Sequence, residues 1–280
     1  MKTEINTSPI VSAEWLAENL DKPNLVVLDA TIPPIGKQKS EMETAKIRGA
    51  IFFDLDNVFS DTQSNLPHTI LSPNAFTDRT QKLGINQDSV IVVYDTVGVY
   101  SSPRAWWLFR AMGHEQVFVL NGGFPAWKQI NGEYEQAEAP QNRQRGNFVA
   151  NYQPALMRDT DTVLAAIHDS QQLVIDARSA ERFLGKVAEP REGLRRGHIP
   201  NSANSPFAKV LDGNKLKTAE ELQQVFAAIS AENKELIFSC GSGVTACIVA
   251  LGAEIAGFEK VSVYDGSWSE WGALPDLPIE

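Results

Sequence analysis

Short apolar runs, unbroken by polar residues, recur along this chain, and stretches with helical spacing separate them. Residues 26–28, 90–94 and 117–120 are continuous rather than alternating, as expected for strands covered on both faces. Ser72 is placed to cap a helix, Pro73 to occupy its first position and Gly84 to end it. Thr218 and Glu221 form a capping box for a helix running to about Ile229, and 244–256 is apolar enough for a buried helix. Strands alternating with helices predict an α/β fold, a mainly parallel sheet with helices on both faces. Ligands of such sheets bind at the carboxyl ends of the strands.

The pattern is written twice. Val26-Val27-Leu28-Asp29-Ala30 matches Leu173-Val174-Ile175-Asp176-Ala177, and 90–95 matches 235–240. The stretch 117–123 followed by Trp127 matches 261–267 followed by Trp271. Asp29 and Asp176 are 147 residues apart, Asp95 and Cys240 145, and Trp127 and Trp271 144. A repeat of this length predicts two tandem copies of one domain. Polar, weakly periodic sequence across 132–154 separates them, giving a first domain over 1–139, a linker over 140–153 and a second domain over 154–280.

Composition narrows the function classes. A net charge of −10 argues against a broad nucleic-acid footprint and leaves any anionic ligand to local basic groups. Residues 1–12 lack both a signal-peptide core and the arginines of a transit peptide. The uncharged run 236–253 has the length of a membrane span, but Ser239, Gly241, Ser242, Gly243 and Thr245 divide it into strand, loop and helix. No membrane partner is expected. Cys240 and Cys247 lie on the order of 10 Å apart along a helix axis, too far for a bridge. Two free thiols suit a reducing compartment, and the expected address is cytoplasmic. No cluster has metal-ligand spacing, so neither metal nor cofactor is expected.

Cys240 ends a strand and opens the loop Gly241-Ser242-Gly243-Val244-Thr245 before the apolar helix. Converging amide N–H groups at such a loop stabilise negative charge, which marks Cys240 as a thiolate nucleophile. Gly241 and Gly243 let the loop curl. Asp95 holds the same position in the first copy; it is not expected to do chemistry, and Asp95→Asn is expected to change little. Cys247 and Trp106, Trp107, Trp127, Trp268 and Trp271 read as core, His114 and His168 as surface residues, and His198 as part of a turn.

The loop Cys240-Gly241-Ser242-Gly243-Val244-Thr245-Ala246 resembles the active-site loop of tandem rhodanese-type sulfurtransferases, in the spelling of their mercaptopyruvate branch. The resemblance extends over Asp176-Ala177-Arg178, Gly197-His198-Ile199-Pro200 and 268–272. It implies two rhodanese-like domains, the first inactive, and sulfur transfer from 3-mercaptopyruvate through a Cys240 persulfide, with release of pyruvate. The acceptor it implies is a thiol, such as thioredoxin or a small thiol, or cyanide. On the same resemblance Arg182 and Arg191 clamp the substrate and Gly241, Gly243 and Val244 line it; Ser242 and Thr245 lie near the sulfur by sequence and can donate or relay a proton. The resemblance also implies that Asp56 and His68 of the first domain form a relay polarising Ser242.

A thiosulfate sulfurtransferase is the nearest alternative. Its dianionic donor favours cations within the loop, whereas Gly-Ser-Gly-Val-Thr has none. A cysteine phosphatase needs an arginine six residues after the cysteine, where this chain has Ala246. A non-catalytic docking module suits the first copy, but Cys240 argues against that role for the whole chain.

Overall fold

The computed structural model describes residues 8–34, 36–38, 44–136 and 143–280. The expectations for residues 1–7 and for a boundary at 139/140 lie outside the described residues.

The first half runs β1 (Ile10–Val11), α1 (Ala13–Asn19), β2 (Leu25–Asp29), β3 (Ala45–Ile47), β4 (Ile51–Phe52), α2 (Pro73–Lys82), β5 (Val90–Tyr94), α3 (Ser102–Ala111), β6 (Val117–Leu120), α4 (Gly123–Gln129) and β7 (Tyr134–Gln136). The second runs β8 (Met157–Arg158), α5 (Thr160–Ala166), β9 (Gln172–Asp176), α6 (Ala180–Phe183), β10 (Ala203–Asn204), β11 (Leu211–Asp212), β12 (Lys215–Leu216), α7 (Ala219–Ala227), β13 (Glu235–Ser239), α8 (Ala246–Ile255), β14 (Val261–Tyr264) and α9 (Ser267–Trp271). Two parallel five-stranded sheets result, ordered β1-β6-β5-β2-β4 and β8-β14-β13-β9-β10. The repeat in the sequence is therefore a repeat in topology. Antiparallel ribbons β3–β7 and β11–β12 flank the sheets.

Side-chain alternation along the buried strands feeds two cores per sheet. Val92 and Tyr94 of β5 pack with Leu16 of α1 and Phe124 and Trp127 of α4. Ile91 and Val93 point the other way, into a core with Phe76 of α2 and Trp106 of α3. In the second sheet Val174 and Ile237 meet Val163 of α5 and Trp268 and Trp271 of α9, while Leu236 and Phe238 meet α7 and α8. Helices thus cover both faces of each sheet. The predicted helix starts hold: Ser72 caps α2, and the Thr218–Glu221 capping box opens α7, which ends at Ala227.

The two domains share a core. Buried residues of α3 and α8 belong to one apolar cluster that continues from one sheet to the other, and Arg110 of α3 pairs with Glu254 of α8. The interface has a pseudo-twofold character. Ile70 N donates to Asp265 Oδ2 (2.9 Å), and Leu216 N donates to Asn121 Oδ1 (2.9 Å), with donors and acceptors at matching repeat positions.

The expected linker is pinned down over its described part. Gly146 N and Phe148 N donate to Gln81 O and Ile85 O, and Asn151 N and Gln153 N to Met112 O and Ala111 O. Phe148 is fully buried against Phe76, Phe109 and His114. His114 is not a surface residue as expected. It is buried beneath Phe148, its Nε2 is 2.9 Å from Ser89 O, and burial lowers its pKa. The polar look of its sequence neighbours concealed this, because Phe148 covers it from 34 residues away. His168 is exposed, and His198 is held in its turn by Phe183.

Candidate active site

β13 ends at Ser239, and Cys240 is the first residue of the turn into α8. The loop is held from behind by α9. Cys240 N donates to Ser267 Oγ (3.2 Å), and Trp268 N donates to Cys240 O (3.0 Å). Ser269 donates to Gly241 O through both its N–H (2.9 Å) and its Oγ (2.6 Å). Gly243 has φ +77°, which favours glycine, and a Cβ there would crowd Asp265 O at 3.0 Å. Cys240 is buried but for 2% of its surface. Cys247, one turn into the helix, is wholly buried; its thiol donates to Gly243 O, and burial pushes its pKa up to about 12.

The same loop in the first domain shows where its amides point. Asp95 is fully buried. Its Oδ1 accepts from Val97 N (3.0 Å) and Gly98 N (2.9 Å). Its Oδ2 accepts from Tyr100 N, Ser101 N and Ser102 N (2.9–3.0 Å) and from Ser102 Oγ (2.7 Å). The loop therefore cradles an anion two bonds from Cβ. The positions matching Val97, Gly98, Tyr100 and Ser101 are Ser242, Gly243, Thr245 and Ala246. None of those four amides is paired with a backbone carbonyl among the described residues. The expectation that Asp95→Asn changes little leaves out structure: the carboxylate accepts six hydrogen bonds, four of them in buried positions.

The structure brings Asp56, His68 and Ser242 together in one line. His68 Nδ1 lies 2.9 Å from Ser242 Oγ, and Nε2 lies 3.0 Å from Asp56 Oδ1. A carboxylate only accepts, so Nε2–H donates to Asp56 and Ser242 Oγ–H donates to Nδ1. The chain crosses between domains, joining residues 174 positions apart. His68 takes φ 59°, an unfavourable backbone for a side-chain-bearing residue. Its neighbours hold it: Arg104 Nη2 donates to His68 O (2.7 Å), and Asp265 takes Ile70 N.

Sequence reasoning missed Arg104 and Asp265. Arg104 of α3 is 1% exposed, pairs with Asp265 Oδ1 at 2.6 Å and reaches Gly243 O at 3.4 Å. One guanidinium thus ties the first domain to the loop that Cys240 opens. The available signal was a lone cation in the otherwise uncharged stretch 96–109. Ser267 and Ser269, which back the loop, carried no sequence signal beyond proximity to Trp268.

Arg182 and Arg191 both face the loop. A Cβ on Gly241 would lie 3.2 Å from Arg182 Nη2 and 3.8 Å from Arg191 Nη1. Glu189, also missed, holds Arg182 through Nε and Nη2. Thr245 sits at the N-cap position of α8 in helical conformation and makes no side-chain cap bond, so helix capping is not its role. Val244 buries its side chain in the shared core; what it brings to the loop is backbone.

Comparison with known proteins agrees with this architecture. The rhodanese-like domain model matches twice, over residues 12–130 and 159–274. The 3-mercaptopyruvate sulfurtransferase of Escherichia coli strain K12 is 40% identical over 284 residues, covering 99% of both chains. The mitochondrial thiosulfate/3-mercaptopyruvate sulfurtransferase 1 of Arabidopsis thaliana is 40% identical over 99% of this chain and 80% of its own. A crystal structure of an E. coli 3-mercaptopyruvate sulfotransferase superposes with a TM-score of 0.84 at 37% identity, over 94% of this chain and all of that one. Two copies of one domain, relatives aligned end to end and a shared three-dimensional architecture establish that this chain belongs to the rhodanese-like family of two-domain sulfurtransferases.

Proposed function

We propose that this enzyme transfers sulfur from 3-mercaptopyruvate, through a persulfide on Cys240, to a thiol or cyanide. The Cys240 thiolate attacks the donor sulfur. The donor's C–S bond breaks, and its electron pair stays on carbon as the pyruvate enolate. The proton that leaves the donor thiol ends on that carbon, giving pyruvate, and the outer sulfur remains on Cys240 as an anion. An acceptor thiolate or cyanide then attacks the outer sulfur and restores the Cys240 thiolate. Covalent capture splits one transfer into two easier ones.

The relay carries this reading. Expelling an enolate needs a proton delivered to carbon; expelling sulfite from thiosulfate does not. Ser242, hydrogen-bonded to His68 and backed by Asp56, is built for that delivery. The Asp95 cradle supports the second half of the cycle. Its carboxylate oxygens lie two bonds from Cβ, as does the outer sulfur of a persulfide, and the matching amides belong to the loop that Cys240 opens. Arg182 and Arg191 supply forked donors for the substrate carboxylate and ketone. Thr245 stands beside the reacting sulfur by sequence. The first domain is non-catalytic and lends Asp56, His68 and Arg104 to the site.

Among the described residues no helix is long and apolar enough to cross a membrane. We place the enzyme in the cytoplasm, where its two unpaired thiols stay reduced and a thioredoxin-like or small thiol can serve as acceptor. Intact mass after incubation with 3-mercaptopyruvate tests the proposal. One added sulfur on Cys240, absent in Cys240→Ser, is expected. No added sulfur, or faster loading from thiosulfate, sinks it.

A further inference from the structure

Glu189 takes no part in the steps above, yet its side chain is 2% exposed and sits beside the site. Its Oε1 accepts from Arg178 Nη1 (2.8 Å), both its oxygens accept from Arg182 Nε (3.2 Å each), and Oε2 also accepts from Arg182 Nη2. Arg178 is itself fully buried, paired with Asp176 at 2.6 Å and stacked 4.1 Å over Trp268. Two carboxylates, Asp176 and Glu189, therefore balance two arginines, Arg178 and Arg182. Arg191 has no ion-pair or hydrogen-bond partner among the described residues. This group of five carries one net positive charge. The Arg182 nitrogen nearest Gly241, Nη2, is one of those held by Glu189.

We infer that Glu189 determines the charge class of the sulfur donor. By neutralising Arg182 it leaves a mouth with a single uncompensated cation, Arg191. Such a mouth matches the single charge of a donor with one carboxylate and leaves one charge of a dianion unbalanced. The inference rests on the reading that the site takes 3-mercaptopyruvate, and it explains how a site with two arginines discriminates against thiosulfate. Like charges a few ångströms apart in a partly desolvated site interact strongly enough to shift relative donor use by on the order of tenfold.

Glu189→Gln keeps an acceptor for both arginines and removes the charge. With cyanide as common acceptor, kcat/KM is measured for both donors. The ratio of thiosulfate to 3-mercaptopyruvate is expected to rise about tenfold, mainly through a lower KM for thiosulfate, while Glu189→Asp holds it near the parent value. A ratio that stays put or falls in Glu189→Gln overturns the inference. A second measurement needs no variant. At fixed ionic strength, pyruvate is expected to protect Cys240 of the unmodified enzyme from iodoacetamide at concentrations about tenfold lower than sulfate does. Equal protection by sulfate overturns the inference as well. If 3-mercaptopyruvate loads Cys240 but these tests fail, the role of Glu189 alone is wrong. If it does not load Cys240, the reading of the site is wrong.

Discussion

At the scale of single residues, one position separates the two copies. Asp95 and Cys240 head equivalent loops, and in the first domain the loop gathers amides around carboxylate oxygens two bonds from Cβ. In the first domain the carboxylate is covalently part of the cradle. Asp95→Asn turns an NH2 toward N–H donors and leaves some of them unpaired. A loss of about 3 kcal/mol in urea unfolding is expected, with turnover per folded molecule near that of the parent. Stability within 1 kcal/mol of the parent would contradict the cradle geometry. Ser242 gives the opposite kind of test. Ser242→Ala removes the group between His68 and the substrate, so kcat on 3-mercaptopyruvate is expected to fall about 100-fold. The thiosulfate-to-cyanide reaction, which moves no proton to carbon, should change far less. Equal losses on both donors would remove the relay from the mechanism.

At the scale of elements, local signals were legible wherever they act on near neighbours. Ser72 and the Thr218–Glu221 pair start the helices they were expected to start, and the apolar runs are strands because both faces are covered. The segment 143–153 was not legible. It has no periodicity because it forms neither helix nor strand; backbone bonds to Gln81, Ile85, Met112 and Ala111 and one buried ring, Phe148, fix its course. That ring makes His114 a buried histidine with a lowered pKa. The unfolded chain has a His114 pKa near 6.5, above the folded value. As pH falls below that, the unfolded state takes up a proton that the folded state resists, and stability falls. His114→Gln is expected to start from a lower stability but lose less of it between pH 7 and pH 5.5 in urea titrations. Parallel curves would show that His114 does not contribute to the acid sensitivity.

At the scale of the whole molecule, the site exists only because the domains are docked. Cys240, Ser242, Arg182 and Arg191 come from one half, and His68, Asp56 and Arg104 from the other. Arg104 links His68 O, Gly243 O and Asp265 with one buried cation. Arg104→Met leaves the half-buried Asp265 without its ion-pair partner and should cost about 2 kcal/mol. It also frees His68 from one of its restraints, so kcat on 3-mercaptopyruvate is expected to drop about tenfold in the folded fraction, with KM little changed. An unchanged kcat would show that the relay needs no support from this pair.

The chain by itself determined the duplicated α/β plan, the strands and capped helices, the glycine loop after β13 and the difference between Asp95 and Cys240. Each depends on spacing along the chain or on conformational preferences spanning a few residues. Tertiary structure decided the rest: the Asp56–His68–Ser242 line, the Arg104–Asp265 clamp, the pairing of Glu189 with two arginines, and the cover over His114. These depend on how two packed domains and a pinned connector bring charges and rings together. No local periodicity encodes that, because the partners' distance in space is set by shared burial and not by their separation in sequence.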